Sequence, residues 1–224
     1  MKRISILMVF VLLGLNLTVL AQKNGKDEFA DKEYWAVVSG RAGKIVETMK
    51  LGDEAKEKEV QDLIAAQYYR LNGIHDGTEA EIKKVKESDL EKAKKNQAIE
   101  KLNAKRNKEL DKLHKSYLKE LSKELTPEQV EAVKNGMTYS VCPNTYAAYQ
   151  DMLPNLTVEQ KKYILDALTE AREKAMDAGS SKEKHAWFGK YKGRINNYLS
   201  KQGYDMNKES KAWQERLKKE GIEL

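Results

Sequence analysis

In the stretch KHAWFGKYKGRINNYL, Lys184 to Leu199, two glycines, four aromatics and four cations are packed into sixteen residues. Placed on a helix at about 100° per residue, Phe188, Tyr191, Ile195, Tyr198 and Leu199 fall on one arc, the expected core stripe. Trp187 lies at the edge of that arc. The adjoining face carries Trp187, Lys190, Arg194, Asn197 and Lys201 at spacings of three and four. An indole backed by cations and an amide suits an acidic sugar. The apolar face of a pyranose stacks on the ring, Lys and Asn donate to hydroxyls, and Arg194 can hold a uronate carboxylate bidentately. His185, off this face near Lys192 and Asn196, and Tyr191 on the core arc complete the candidate substrate-binding set. The same spacing is also met by a core-edge Trp187 with solvated cations around it. Gly189 and Gly193 fall roughly opposite the core stripe, where each costs about 1 kcal/mol relative to alanine. Close approach by another helix or by a ligand would account for them.

Charge singles out the same region. The chain carries 41 Lys/Arg and 35 Asp/Glu, a net charge of +6. Between Gly179 and Gly203, Lys182, Lys184, Lys190, Lys192, Arg194 and Lys201 face only Glu183. The excess positive charge is therefore local, which points to one anion-favouring patch rather than general adhesion to nucleic acid or membrane.

Other chemistries find less support. Glycoside hydrolysis needs two carboxyls across a cleft. Glu170, Glu173 and Asp177 instead crowd one helical stretch beside Lys174, where solvation or ion pairing accounts for them. A lyase could work with Tyr, Arg, Lys or His alone, so catalysis stays open and no catalytic residue is assigned. His75, His114 and His185 lack metal-ligand spacing, and no metal or cofactor is expected. Cys142 is the single cysteine and cannot form an internal disulfide.

The elements that must position these residues are helices. Three prolines and no alternating β-branched runs leave little room for sheet. Helical spacing covers Phe29 to Met49 and Asp53 to Asn72, after which NGIHDG, Asn72 to Gly77, reads as a turn. No Gly or Pro interrupts Thr78 to Glu124, so one long charged helix is expected over about residues 79–124, antiparallel to the two before it in a hairpin-like layout. LTPEQ (Leu125 to Gln129) and LTVEQ (Leu156 to Gln160) are capping boxes. Between them, a loop with a short helix from about Thr145 carries Tyr139, Tyr146 and Tyr149, which either seal the core edge or rim a pocket. Further helices run to about Ala178, through the opening stretch to Gly203, and over Lys208 to Lys219. The expected fold is an all-α multi-helix bundle.

Residues 1–21 have a Lys2/Arg3 head, an apolar run and Val19-Leu20-Ala21, the pattern of a secretory signal cleaved after Ala21. Loss of Lys2 and Arg3 would lower the net charge from +6 to +4. Residues 22–27 read as a flexible N-terminus and 28–224 as a single all-helical domain, periplasmic or secreted and off the membrane once cleaved.

The segment from Leu156 to Asp205, with YRLNGIHD at Tyr69 to Asp76, resembles a secreted helical family of unknown function from Bacteroides-type polysaccharide degraders. That resemblance implies sugar binding. LTPEQ and LTVEQ are similar to the LTxxQ motif of Spy-like periplasmic chaperones. The expectation is an exported carbohydrate-binding protein for acidic, uronate-containing glycans, with a Spy-like chaperone or helical interaction protein as the alternative. The oligomeric state is left open.

Overall fold

The computed structural model describes residues 29–222. The expected signal peptide and residues 22–27 lie outside this range. Among the described residues there are eight helices and no strand.

α1 (Lys32–Met49) starts where the Asp31 side chain accepts from the Tyr34 amide, and ends at Lys50 in the left-handed region. α2 (Glu54–Glu87) is capped by Asp53 and runs straight through NGIHDG, so the turn expected there is corrected. Gly73 and Gly77 keep ordinary helical backbone. The turn-prone side chains spend their hydrogen bonds inside the helix: Asn72 Nδ2 donates to Asp76 Oδ2 at 2.7 Å, and Thr78 Oγ1 to the Ile74 carbonyl at 2.8 Å. Two glycines cost about 2 kcal/mol of helix propensity, which packing of α2 between α1 and α3 outweighs.

The chain turns instead at Ser88 to Glu91, inside the polar ESDLEKAKKNQ segment. The expected single helix over 79–124 is therefore corrected to the last turns of α2 plus α3 (Lys92–Glu124). Ser88 Oγ and its amide both close on the Val85 carbonyl, and Lys95 Nζ crosses the turn to the Lys86 carbonyl at 2.8 Å. α2 and α3 form the hairpin. Folding back there lets the sparse apolar stripe of α3 lean on α2, since only Tyr117 and Leu121 of α3 are fully buried.

α4 (Pro127–Met137) and α6 (Val158–Met176) open with the two capping boxes. Thr126 and Thr157 accept from the amides of Gln129 and Gln160, whose side chains return the bond. α5 (Val141–Met152) begins four residues earlier than expected, because Tyr139 and Ser140 in the left-handed region turn the chain within two residues. Pro143 is accommodated in the first turn, where its missing N–H leaves nothing unpaired. α7 (Ser181–Lys201) and α8 (Met206–Lys219) complete the chain.

Two apolar clusters result. Val38, Val60, Ile64, Leu121 and Val133 join α1, α2, α3 and α4. Leu153, Ile164, Leu168, Phe188 and Ile195 join α5, α6 and α7. Met176, at the end of α6, belongs to the first cluster although its helix is built on the second. The carboxyl end of α6 is thus the junction of the two.

The glycines separate two kinds of helix position. A Cβ at Gly136 would stand 2.8 Å from Ile45 Cγ2, a buried β-branched side chain with little rotamer freedom. A Cβ at Gly73 or Gly77 would meet nothing within 4 Å. Gly136→Ala is expected to destabilise by about 1–3 kcal/mol through overpacking, and Gly73→Ala to stabilise by roughly 0.5–1 kcal/mol. Urea unfolding checks both. A loss of stability in Gly73→Ala would mean that the chain bends at NGIHDG after all.

Candidate functional site

α7 starts where the Ser180 hydroxyl accepts from the Glu183 amide. Phe188, Tyr191, Ile195 and Leu199 are buried, as the helical arc predicts, and Trp187 sits half-buried at its edge. Lys190 Nζ lies over the Trp187 ring, 5.1 Å from its centroid. Tyr191 turns its hydroxyl to Glu170 Oε1 at 2.6 Å. Arg194 covers the Tyr191 ring at 4.6 Å and lies 3.6 Å from Glu170 Oε2, so both side chains are spent on the neighbouring helix. Asn197 is exposed.

The candidate face therefore divides. Trp187 and Lys190 line an open groove of about 590 Å³ against α3, where cations such as Arg106 alternate with Asp111, Asp177 and Glu183. Arg194 and Asn197 lie outside that groove. His185 is on another side of α7, stacked on Tyr139 with ring centroids 5.5 Å apart and planes within 9°. No helix or side chain approaches Gly189 or Gly193 within 4 Å of a built Cβ, so packing within the described residues does not explain them.

A different hollow, of about 860 Å³, lies between α1, α2, α4 and the start of α7. α1 supplies Tyr34, Arg41 and Lys44 to its wall, α2 supplies Tyr68, the α4–α5 turn Tyr139, and α7 Lys184. Among the described residues, no carboxylate lines it. Spacing accounts for the α1 set, since positions 34, 41, 44 and 48 share one helical face, Ile45 sits at its edge in both wall and core, and Val38 and Ala42 turn to the core. Burial pushes Tyr68 up to about 12 and raises Tyr34 as well, so both phenols stay protonated and offer hydrogen-bond donors rather than bases. Of this set the sequence pointed to Tyr139, as a possible rim, and to Lys184, as one cation of the anion-favouring patch. Arg41 and Lys44 are exposed helix charges, and only the placement of α4 and α7 across from them makes them part of a wall.

Lys184 is the buried cation of this wall, 7% exposed. Its ammonium donates to the Ala175 and Met176 carbonyls, 2.9 and 3.0 Å away, and so caps the carboxyl end of α6. Burial pulls its pKa down to about 8, against the opposing charges of Asp177 and Glu183. The adjoining turn is held against α2: His75 Nε2 is 2.8 Å from the Asp177 carbonyl, and a Cβ at Gly179 would stand 2.8 Å from His75 Cγ.

Behind this wall the last turn of α6 forms a charged node. His114 of α3 reaches Asp177 Oδ2 at 2.9 Å and Glu173 Oε2 at 3.3 Å. Glu173 also takes Lys134 of α4 at 3.1 Å, while Arg172 donates to Asn135 Oδ1 at 2.7 Å and pairs with Glu131. Asp177 first and Glu173 second raise His114 to about 9 against the effect of burial. Burial would raise Glu173, but His114 and Lys134 outweigh it and hold that carboxyl down at about 2.

One family model, described as Protein of unknown function (DUF3826), matches residues 35–219. The chain belongs to this family. The matched span takes in every cavity residue named above except Tyr34. No curated protein matches the chain. No helix among the described residues is long and apolar enough to cross a membrane.

The node makes stability depend on pH in a definite direction. With its folded pKa raised from 6.5 to about 9, His114 contributes fully below pH 6.5 and loses that contribution as pH rises through about 9. Lys184 acts in the opposite sense above about pH 8, where shedding its proton relieves a buried charge. The difference between wild type and His114→Gln isolates the first effect. Urea midpoints should show the variant less stable by about 3 kcal/mol at most near pH 6, with the gap closing by pH 10. A gap that does not change with pH would contradict the ion pairing.

Proposed function

We propose that the protein binds an acidic, uronate-containing carbohydrate, and that the site is the tyrosine-lined cationic hollow between α1, α2, α4 and α7. The observation that carries this reading is the wall itself: Arg41, Lys44 and Lys184 with Tyr34, Tyr68 and Tyr139, in a hollow of about 860 Å³ with no carboxylate among its described lining residues. That volume falls within the range of about 300–1,000 Å³ usual for small-ligand sites. Guanidinium and ammonium groups suit a sugar carboxylate, and protonated phenols supply both a stacking face and a donor to hydroxyls.

Binding is favoured over catalysis by two features. Neither Tyr68 nor Tyr34 is poised to take a proton at neutral pH, and Lys184 is held as the cap of α6 by two carbonyls, with no carboxyl among the described lining residues to work with it. The resemblance to exported proteins of polysaccharide degraders and the expected leader agree with a glycan met outside the cytoplasm. The Trp187 groove, with its alternating charges, suits an anionic ligand less well. An interaction-protein reading is favoured by one feature, a groove of about 440 Å³ between α2 and α3 that exposes Ile74, Leu102 and Leu113.

Titration calorimetry with uronate oligosaccharides tests the proposal. Arg41→Ala and Lys44→Ala are expected to weaken binding about tenfold or more each, consistent with loss of a charge-assisted hydrogen bond. Trp187→Ala should leave it unchanged. Affinity should also fall as pH rises through about 8, where Lys184 loses its charge. Absence of binding by the wild type, or binding that depends on Trp187 and not on Arg41, overturns the assignment.

A further inference from the structure

A second hollow, of about 440 Å³, lies between α5, α7 and α8. Its wall is of another kind: the rings of Tyr149 and Trp213 alternate with Asn144, Thr145 and Asn196, and Lys192 is its one cation. Trp213 is fixed by its only polar atom, Nε1 donating to Asp151 Oδ2 at 2.5 Å, with Arg216 holding the same carboxylate. That leaves the ring's apolar surface for the hollow. Tyr149 donates to Asn196 Oδ1 at 2.6 Å, which orients the amide so that its NH2 group remains a donor. Among the described residues, the side chains of Asn144 and Thr145 make no hydrogen bond of their own.

The two hollows are neighbours at the start of α5, where Pro143 lines the first and Asn144 the second, and α5 and α7, both packed on α6, run in the same direction. Tyr139, before α5, meets His185 of α7, and ten residues on Tyr149 meets Lys192 and Asn196. Residues 181 and 184 face the first hollow, 192 and 196 the second. On α7, His185, Gly189, Lys192 and Asn196 share one stripe at spacings of four, three and four. Gly189 stands in the middle of it with no side chain, and nothing lies within 4 Å of where a Cβ would point. The stripe is thus low and uncovered between the residues that line the two hollows. From Lys184 to Asn196 it rises about 18 Å at about 1.5 Å per residue.

We propose that the ligand is a linear oligosaccharide lying along this stripe, with a uronate in the cationic hollow and a less charged stretch of the same chain against Trp213 and Asn196. This extends the proposed function and rests on it. A sugar chain fits the change in wall chemistry, because rings flanked by amides and hydroxyls recognise a pyranose without needing charge. It also accounts for Gly189, whose helix cost nothing within the described residues offsets.

The test compares a uronate disaccharide with a uronate hexasaccharide by calorimetry, in wild type, Gly189→Leu and Trp213→Ala. Wild type should bind the longer chain at least about tenfold more tightly, about 1.4 kcal/mol. Gly189→Leu, which improves helix propensity and so keeps the fold, should remove most of that advantage and leave disaccharide affinity within about twofold, and Trp213→Ala should do the same. Equal affinity for the two lengths in wild type, or a length advantage kept in Gly189→Leu, overturns the extended site and leaves the first hollow standing. Failure of wild type to bind the disaccharide while binding neither length refutes the underlying reading instead. Polyglutamate that competes as well as the hexasaccharide, and loses affinity in Gly189→Leu, would replace the sugar by an acidic peptide.

Discussion

The carboxyl end of α6 is the constraint on which the rest depends. A helix ends there with unpaired carbonyls and a partial negative charge, and Glu173 and Asp177 add two carboxylates to the same turn. The structure answers from four sides: His114 from α3, Lys134 from α4, His75 from α2 and Lys184 from α7. Removing one partner leaves charge uncompensated, which costs about 3–5 kcal/mol in a fully buried pair and less in a partly exposed set such as this one. The node therefore specifies where the two apolar clusters meet and in what orientation, something apolar contacts alone fix loosely.

The site follows from that orientation. Lys184 serves both arrangements, capping α6 with its ammonium and adding positive charge to the wall of the larger hollow. Gly179 lets the α6–α7 turn press on His75, which brings the start of α7 opposite Arg41 and Lys44 on α1. The hollow is thus formed by elements far apart in sequence and held by a network that shares Lys184 and Asn135 with its wall. Among the described residues no carboxylate lines its wall, because Glu173 and Asp177 are turned to the node, although Asp177 and Glu183 still act on Lys184 from behind.

Local chemistry was legible in the sequence and long-range chemistry was not. The capping boxes at Thr126 and Thr157 form as expected because each is settled within four residues. The buried arc of α7 was read correctly for the same reason, since helical spacing fixes which side chains share a face. NGIHDG misled because glycine and asparagine report only local preference, and α2 is held straight by the helices on either side. The Trp187 face shows a related limit: spacing shows that Lys190 and Arg194 share its side, but not that Glu170 of the neighbouring helix pairs with Arg194. Arg41 and Lys44 carried no signal at all, because their meaning depends on Tyr139 and Lys184, about a hundred residues and more away. Of the tyrosines between the capping boxes, Tyr139 lines the larger hollow, Tyr149 lines the smaller one while buried in the core, and Tyr146 only packs against that core.

The central claim, that the anion site lies between α1 and the start of α7 and not on the Trp187 face, is tested most directly by backbone amide chemical-shift mapping with a uronate disaccharide. The account predicts shifts concentrated at Arg41 to Lys44, Tyr139 to Ser140 and Gly179 to Lys184, with none at Lys190, Arg194 or Asn197. Shifts confined to Trp187, Lys190 and their neighbours on α3 would contradict it.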